Sequence, residues 1–181
     1  MKNLLDELEQ EHIWIEKEIA ELQNAPLDKT QFLKFLNFVE THHEKEEKQL
    51  FPWIAEQTWL TQGGPKCTYF MGLRLDFNHS AAVQTALKRF VLSYPDFKFN
   101  DPEYFTWLQS SSPLSIPMEE HQLSSRLKEC LLYILDCDPQ QMTEDQSLGK
   151  KLLDNYVDLL KIHLVKERDC LFVLCRQKTQ L

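Results

Sequence analysis

Four glycines in 181 residues are too few for the tight turns that a sheet-rich chain would need. Runs of alternating β-branched residues are scarce as well. Both shortages exclude a β fold and leave helices. No uninterrupted apolar run is long enough to cross a bilayer, so no membrane is expected. The first residues, Met1 to Glu7, turn acidic at once, unlike a secretory signal. A basic face is also missing. Twenty Lys and Arg lie interleaved among 28 Asp and Glu, and the formal charge of −8 argues against nucleic acid as a partner. The five cysteines (Cys67, Cys130, Cys137, Cys170 and Cys175) form no C-x-x-C unit, and an odd number cannot pair fully within one chain. They are expected as mostly buried free thiols in a reducing cytoplasm.

What remains is a helical chain whose 43% hydrophobic content suffices for one domain. A first helix is expected over 3–24, with Leu5, Leu8, His12, Ile15, Ile19 and Leu22 on one stripe, ending at Asn24-Ala25-Pro26. Asp28 with Gln31 resembles a capping box for a second helix over 29–60. The inner line of that helix runs Phe32, Phe35, Val39, His42, Glu46 and Trp53, Pro52 should bend it, and Gly63-Gly64-Pro65 ends it. A third stretch over 67–93 carries Leu75, His79, Val83, Ala86 and Phe90 on one face. The pattern breaks over 94–117, which holds four of the eight prolines and Ser110-Ser111-Ser112. Asp101-Pro102 can open a short helix near 102–109. Helices follow at 117–136 and 144–177, the last capped by Thr143 with Gln146.

The informative feature is an echo. His42-x-x-x-Glu46-x-x-x-Leu50-Phe51 returns as His163-x-x-x-Glu167-x-x-x-Leu171-Phe172. Residues four apart share a helix face, so each frame presents one imidazole and one carboxylate together. Such groups in an apolar stripe are costly unless paired or bound to metal, and His12 sits in a similar stripe. Two helices offering nitrogen and oxygen ligands suit a pair of transition-metal ions, iron above all, with zinc or manganese able to take the same ligands.

Four blocks resemble the hemerythrin-like (HHE cation-binding) family. They are Glu11-His12, His42 through Pro52, Pro117-Met118-Glu119-Glu120-His121, and His163 through Glu167 with Leu171-Phe172; the Leu-Phe-Pro ending is the most specific piece. The resemblance implies an antiparallel up-down four-helix bundle, with residues 66–113 inserted between bundle helices two and three. It also implies an oxo- or hydroxo-bridged di-iron site. His12 and His42 would bind one iron, His121 and His163 the other, and Glu46 and Glu167 would bridge. Two departures stand out: Pro117 occupies the place of a further histidine, and Arg168 the place of an aspartate, whose role falls to Glu167. One iron is then a ligand short, which favours water, exogenous ligands or redox chemistry over simple oxygen carriage.

The other polar residues have plainer readings. His79 is expected as a packed core histidine, although it is also a candidate for the missing fifth ligand. His43, about 100° around the helix from His42, is expected beside a ligand or on the surface. Glu47 and Glu120 read as exposed acids, with acceptors for ligand N–H groups as the alternative. No Ser-His-Asp, Cys-His or phosphate-loop motif points to an enzyme. The expectation is a protein that binds or senses oxygen or nitric oxide, or handles iron. Competing readings are delivery of iron to repair iron–sulfur centres, and a partner-binding bundle that has lost its metal. The aromatic residues of the insertion could form an interaction surface or simply cover the bundle.

Overall fold

The computed structural model describes residues 1–24, 26–57, 77–100 and 114–179. All regular structure among them is helical. The elements are α1 (Lys2–Asn24), α2 (Lys29–Lys45), a π-helical turn (Glu46–Leu50), α3 (Phe51–Ala55), α4 (Phe77–Ser93), α5 (Ser115–Cys137), a 3-10 turn (Pro139–Met142), α6 (Leu148–Lys166), a second π-helical turn (Glu167–Phe172) and α7 (Val173–Thr179). No helix among the described residues is long and apolar enough to cross a membrane.

The first helix and its successor's cap match the sequence pattern. Asp28 accepts the backbone N–H of Gln31 at 2.7 Å, satisfying one of the free donors at the start of α2. The expected uninterrupted helix over 29–60 is not what forms. A wider turn opens at Glu46, where the N–H of Phe51 reaches back to the Glu46 carbonyl, and α-helix then resumes to Ala55. Residues 58–60 lie outside the described residues. Pro52 lacks a donor and disfavours a regular helix just before it. Proline is not the whole cause, because the wider turn recurs at Glu167–Phe172 without one. Both wide turns begin at the carboxylate of the echoed frame, a place where such turns commonly re-aim functional side chains.

The last helix starts later than expected and on a different cap. Ser147, not Thr143, accepts an N–H, that of Lys150 at 3.1 Å. Thr143 instead donates its hydroxyl to the Gln140 carbonyl at 3.0 Å, closing the 3-10 turn. That turn presses on α6 at Gly149, where an added Cβ would lie 2.6 Å from the Gln141 carbonyl oxygen. Gly149→Ala should therefore destabilise the protein by about 1–3 kcal/mol through overpacking, despite alanine's better helix propensity. Urea unfolding reads this, and an unchanged or raised midpoint would contradict it.

Helix α5 packs on α6, and α4 packs on both. Of the proposed insertion, α4 and the residues to Asn100 are described. Tyr94, Phe97 and Phe99 cluster with Phe90 and Tyr133, with ring centroids 4.9 Å apart for Phe90–Phe97 and 5.1 Å for Tyr94–Tyr133. They cover α5 rather than stand free. The expected helix at 102–109, residues 67–76, and Tyr69, Phe70, Tyr104 and Trp107 lie outside the described residues. Cys130, Cys170 and Cys175 are buried, Cys137 is exposed, and none of these forms a disulfide.

The core is two apolar blocks with a polar layer between them. One block contains Ile15, Val39, Leu127 and Leu164; the other contains Leu8, Leu50, Met118 and Leu171. The chain segments of α1, α2 with α3, α5, and α6 with α7 contribute to both blocks, and each carries one of the sequence-predicted histidines; α4 joins the first block alone.

Candidate metal centre

His12 comes from the middle of α1, His42 from the end of α2, His121 from the first turns of α5 and His163 from the end of α6. Glu46 and Glu167 open the two wide turns. All six side chains are buried, none more than 3% exposed. His121, which helical geometry places off the apolar stripe, is buried because α2 and α6 close over it.

The histidines converge in two pairs. Nε2 of His12 lies 3.1 Å from Nε2 of His42, and Nε2 of His121 lies 3.1 Å from Nε2 of His163. With metal–nitrogen bonds of about 2.0–2.1 Å, this separation corresponds to an angle of about 95–100° at a shared ion, as between neighbouring ligands. The carboxylates sit between the pairs. Glu46 Oε2 is 3.6 Å from His42 Nε2 and 3.4 Å from His121 Nε2. Glu167 Oε2 is 3.3 Å from His12 Nε2 and 3.2 Å from His163 Nε2. Each carboxylate thus faces one histidine of each pair. Two four-residue groups result, one with His12 and His42, the other with His121 and His163. Both include Glu46 and Glu167, and the donor atoms within each group lie within 4.8 Å of one another.

This donor set fits metal on two counts. All four oxygens of Glu46 and Glu167 are buried without a hydrogen-bond partner among the described residues, which is costly in a metal-free core. The outer ring nitrogens also fix the tautomers. His42 Nδ1 meets Glu11 at 2.7 Å, His121 Nδ1 meets Glu47 at 2.8 Å, and His163 Nδ1 meets Glu120 at 3.0 Å. A carboxylate can only accept, so Nδ1 carries the proton and the neutral ring turns its Nε2 lone pair inward. Inward lone pairs 3.1 Å apart need a proton or a cation between them.

Glu47 and Glu120 are therefore not the exposed acids that the sequence suggests. Glu120 is buried and Glu47 mostly so; Glu120 is tied to His163 and Glu47 to His121. Sequence reasoning also missed Glu11 as an acceptor, and Lys45 and Lys166, which ion-pair with Glu11 and Glu120. The signal was present: Glu-His precedes His-x-x-Lys-Glu in both halves, as Glu11-His12 with His42…Lys45-Glu46 and as Glu120-His121 with His163…Lys166-Glu167.

His43 is buried, not on the surface. It stacks on His121 with centroids 3.9 Å apart and planes 14° from parallel, and its Nε2 has no hydrogen-bond partner among the described residues. It joins His121 and His163 in a third cluster of donor atoms. Nearly parallel rings cannot both aim an in-plane lone pair at one ion, so His43 is not a fifth ligand in this arrangement. The side chain of His79 lies outside the described residues. Pro117 is buried in the first turn of α5, where a missing N–H is tolerated. A cavity of about 160 Å³ lies beside His121, lined by His43, Glu47, Met118, Lys128 and Tyr156 among others.

The ionisation of the metal-free centre is uneven. Burial and the neighbouring Glu167 push the Glu46 carboxyl well above its usual range. Burial opposes charge on Glu167 too, but His163 and His12 outweigh it and hold that carboxyl well below. Burial pulls His163 down, yet Glu167 and Glu120 prevail and raise it to about 10. His42, mainly through burial, is pushed down to about 4.

A pH dependence follows. His163 is raised above its unfolded value of about 6.5, so its contribution to stability is complete below about pH 6.5 and is lost as pH rises through about 10. Glu46 acts in the same direction, because the unfolded chain ionises this carboxyl more readily than the fold does. On the acid side His42 costs stability once the unfolded chain gains a proton that the fold refuses until about pH 4. Glu167 also loses its contribution in acid. The metal-free protein should thus be most stable at about pH 6–7 and weaken towards pH 9. Metal must displace protons from the same groups, so its stabilising effect should grow with pH. Melting curves with and without a divalent metal at the two pH values check this; a gap that narrows at pH 9 would contradict it.

No family model, no curated protein and no solved structure matches this chain.

Proposed function

We propose that this chain is a hemerythrin-like di-iron protein that binds or senses oxygen or nitric oxide, or handles iron, in the cytoplasm. In this reading α1, α2 with α3, α5, and α6 with α7 form an antiparallel four-helix bundle, and α4 belongs to an insertion over about 66–113. His12 and His42 hold one iron, His121 and His163 the other, and Glu46 and Glu167 bridge. The observation that carries this reading is that each partnerless carboxylate faces one histidine of each pair.

A nitrogen and carboxylate set without thiolate suits iron, and admits manganese or zinc. Bound iron would supply the redox chemistry and the affinity for small ligands. The chain supplies the rest. Glu11, Glu47 and Glu120 orient three of the four imidazoles through Nδ1 and make them better donors. Phe51 and Phe172 stack against His121 and His12, at 5.4 and 4.9 Å, and with the apolar blocks they keep water off the bridging side. Six protein ligands for two ions would leave positions open to a small exogenous ligand.

Delivery of iron for iron–sulfur repair uses the same ligands and differs in predicting iron that passes readily to a cluster protein. A partner-binding bundle without metal is disfavoured by the four partnerless carboxylate oxygens. The test is protein expressed with iron and purified anaerobically, beside His42→Ala and Glu167→Ala. The di-iron reading expects about two irons per chain in the wild type, a large loss in both variants, and a lower melting temperature with that loss. Stoichiometry near zero in the wild type overturns it.

A further inference from the structure

The two halves of the centre are related position by position. Glu11 receives His42 Nδ1 and ion-pairs with Lys45, as Glu120 receives His163 Nδ1 and ion-pairs with Lys166. Phe51 of the first frame stacks on His121, and Phe172 of the second stacks on His12. Each wide turn therefore lies against the α1 or α5 histidine of the opposite pair. Residue 47 reaches His121 by this route, and residue 168 is its counterpart towards His12.

At these two positions the symmetry fails. Glu47 accepts from His121 Nδ1 at 2.8 Å. Its counterpart is Arg168, which cannot accept; it turns to Glu16 at 2.7 Å and Asp169 at 3.0 Å. His12 Nδ1 is left buried without a hydrogen-bond partner among the described residues. A second difference falls on the same side. His43 places a spare nitrogen beside His121 and His163, whereas its counterpart, Leu164, is plain core.

We propose that the two metal positions are unequal: the one between His121 and His163 is tight, the one between His12 and His42 is weak and exchangeable, and Arg168 is the positioning residue that makes the difference. The proposal rests on the di-metal reading above. A carboxylate on Nδ1 fixes the tautomer, holds the ring in line with the ion and makes Nε2 more basic; its loss typically lowers metal affinity about 10- to 100-fold. His12 has no such partner. When its Nε2 binds an ion, its Nδ1–H must stay buried and unsatisfied.

The experiment is anaerobic titration of metal-free protein with iron(II) against a competing chelator. Wild-type protein should bind in two steps about 10- to 100-fold apart. His12→Ala should remove the weaker step and His121→Ala the tighter one. Arg168→Glu should tighten the weaker step about 10-fold or more, and Glu47→Gln should weaken the tighter step by a similar factor. Arg168 and Glu47 retain solvent contact, so these two variants decide the matter if the ligand variants fail to fold. The proposal is overturned by equal steps in the wild type, by His12→Ala removing the tighter step, or by Arg168→Glu and Glu47→Gln leaving both affinities unchanged. No iron bound in either step overturns the di-metal reading itself.

Discussion

Glu46→Gln and Glu167→Gln should both empty the centre of metal, yet only the second should damage the metal-free fold. Each carboxylate faces a histidine of both pairs, so either loss strips a ligand from two ions at once. Without metal the two acids have different duties. Glu46 is driven towards its neutral form by burial and by Glu167, and a glutamine of the same shape imitates that form. Its amide can also donate to Glu167. Stability should change by only about 1 kcal/mol, the scale of a single neutral hydrogen bond. Glu167 is the charged partner of His163 in the buried layer. Removing one member of such a pair leaves an uncompensated charge and costs about 3–5 kcal/mol. For a chain of this size that corresponds to roughly 6–20 °C in melting temperature. Thermal unfolding of chelator-treated variants reads the contrast directly. Equal losses in the two variants would show that the carboxylates are not divided in this way.

Stripping metal from the wild-type protein should produce the other large effect. A ligand at about 1,000 times its dissociation constant stabilises the native state by about 4 kcal/mol per site. With the second site about 10- to 100-fold weaker, the two together contribute about 5–7 kcal/mol, or roughly 10–30 °C at 2–4 °C per kcal/mol. The size suits this layer because metal relieves a penalty already present, two buried carboxylates whose oxygens have no hydrogen-bond partner among the described residues. Calorimetry before and after chelation, with metal restored afterwards, measures it. Both glutamine variants should show almost no response to added metal. A wild-type melting temperature indifferent to chelation would contradict the claim that this layer is built around metal.

Much of this was legible in the chain because the physics is local. Helical periodicity, the Asp28 cap and the His-x-x-x-Glu spacing depend on residues within one or two turns, and they put His12, His42, Glu46, His163 and Glu167 on inward faces; His121 lies off its helix's apolar stripe and entered only through the family resemblance, yet all six are buried together. The wide turns were not legible, because a single i→i+5 turn shifts the apolar stripe by only one residue, too little to read from one short frame. The roles of Glu11, Glu47 and Glu120 depend on neighbouring helices brought alongside, so on a single helix each reads as a solvated acid. His43 takes the first of the two places expected of it, beside His121, and the choice between them also depended on a neighbouring helix. A rotation of about 100° from His42 points to the surface only if no other helix waits there, and α5 does. The Thr143 cap failed because Ser147, four residues later, competes for the same duty after the 3-10 turn has used Thr143.

The most direct test is anomalous scattering at the iron edge from crystals of protein loaded anaerobically with iron. Two peaks are expected, one between Nε2 of His12 and His42 and one between Nε2 of His121 and His163, with Glu46 and Glu167 spanning them. No peak in this layer, or a single ion bound elsewhere on the chain, would contradict a di-metal centre.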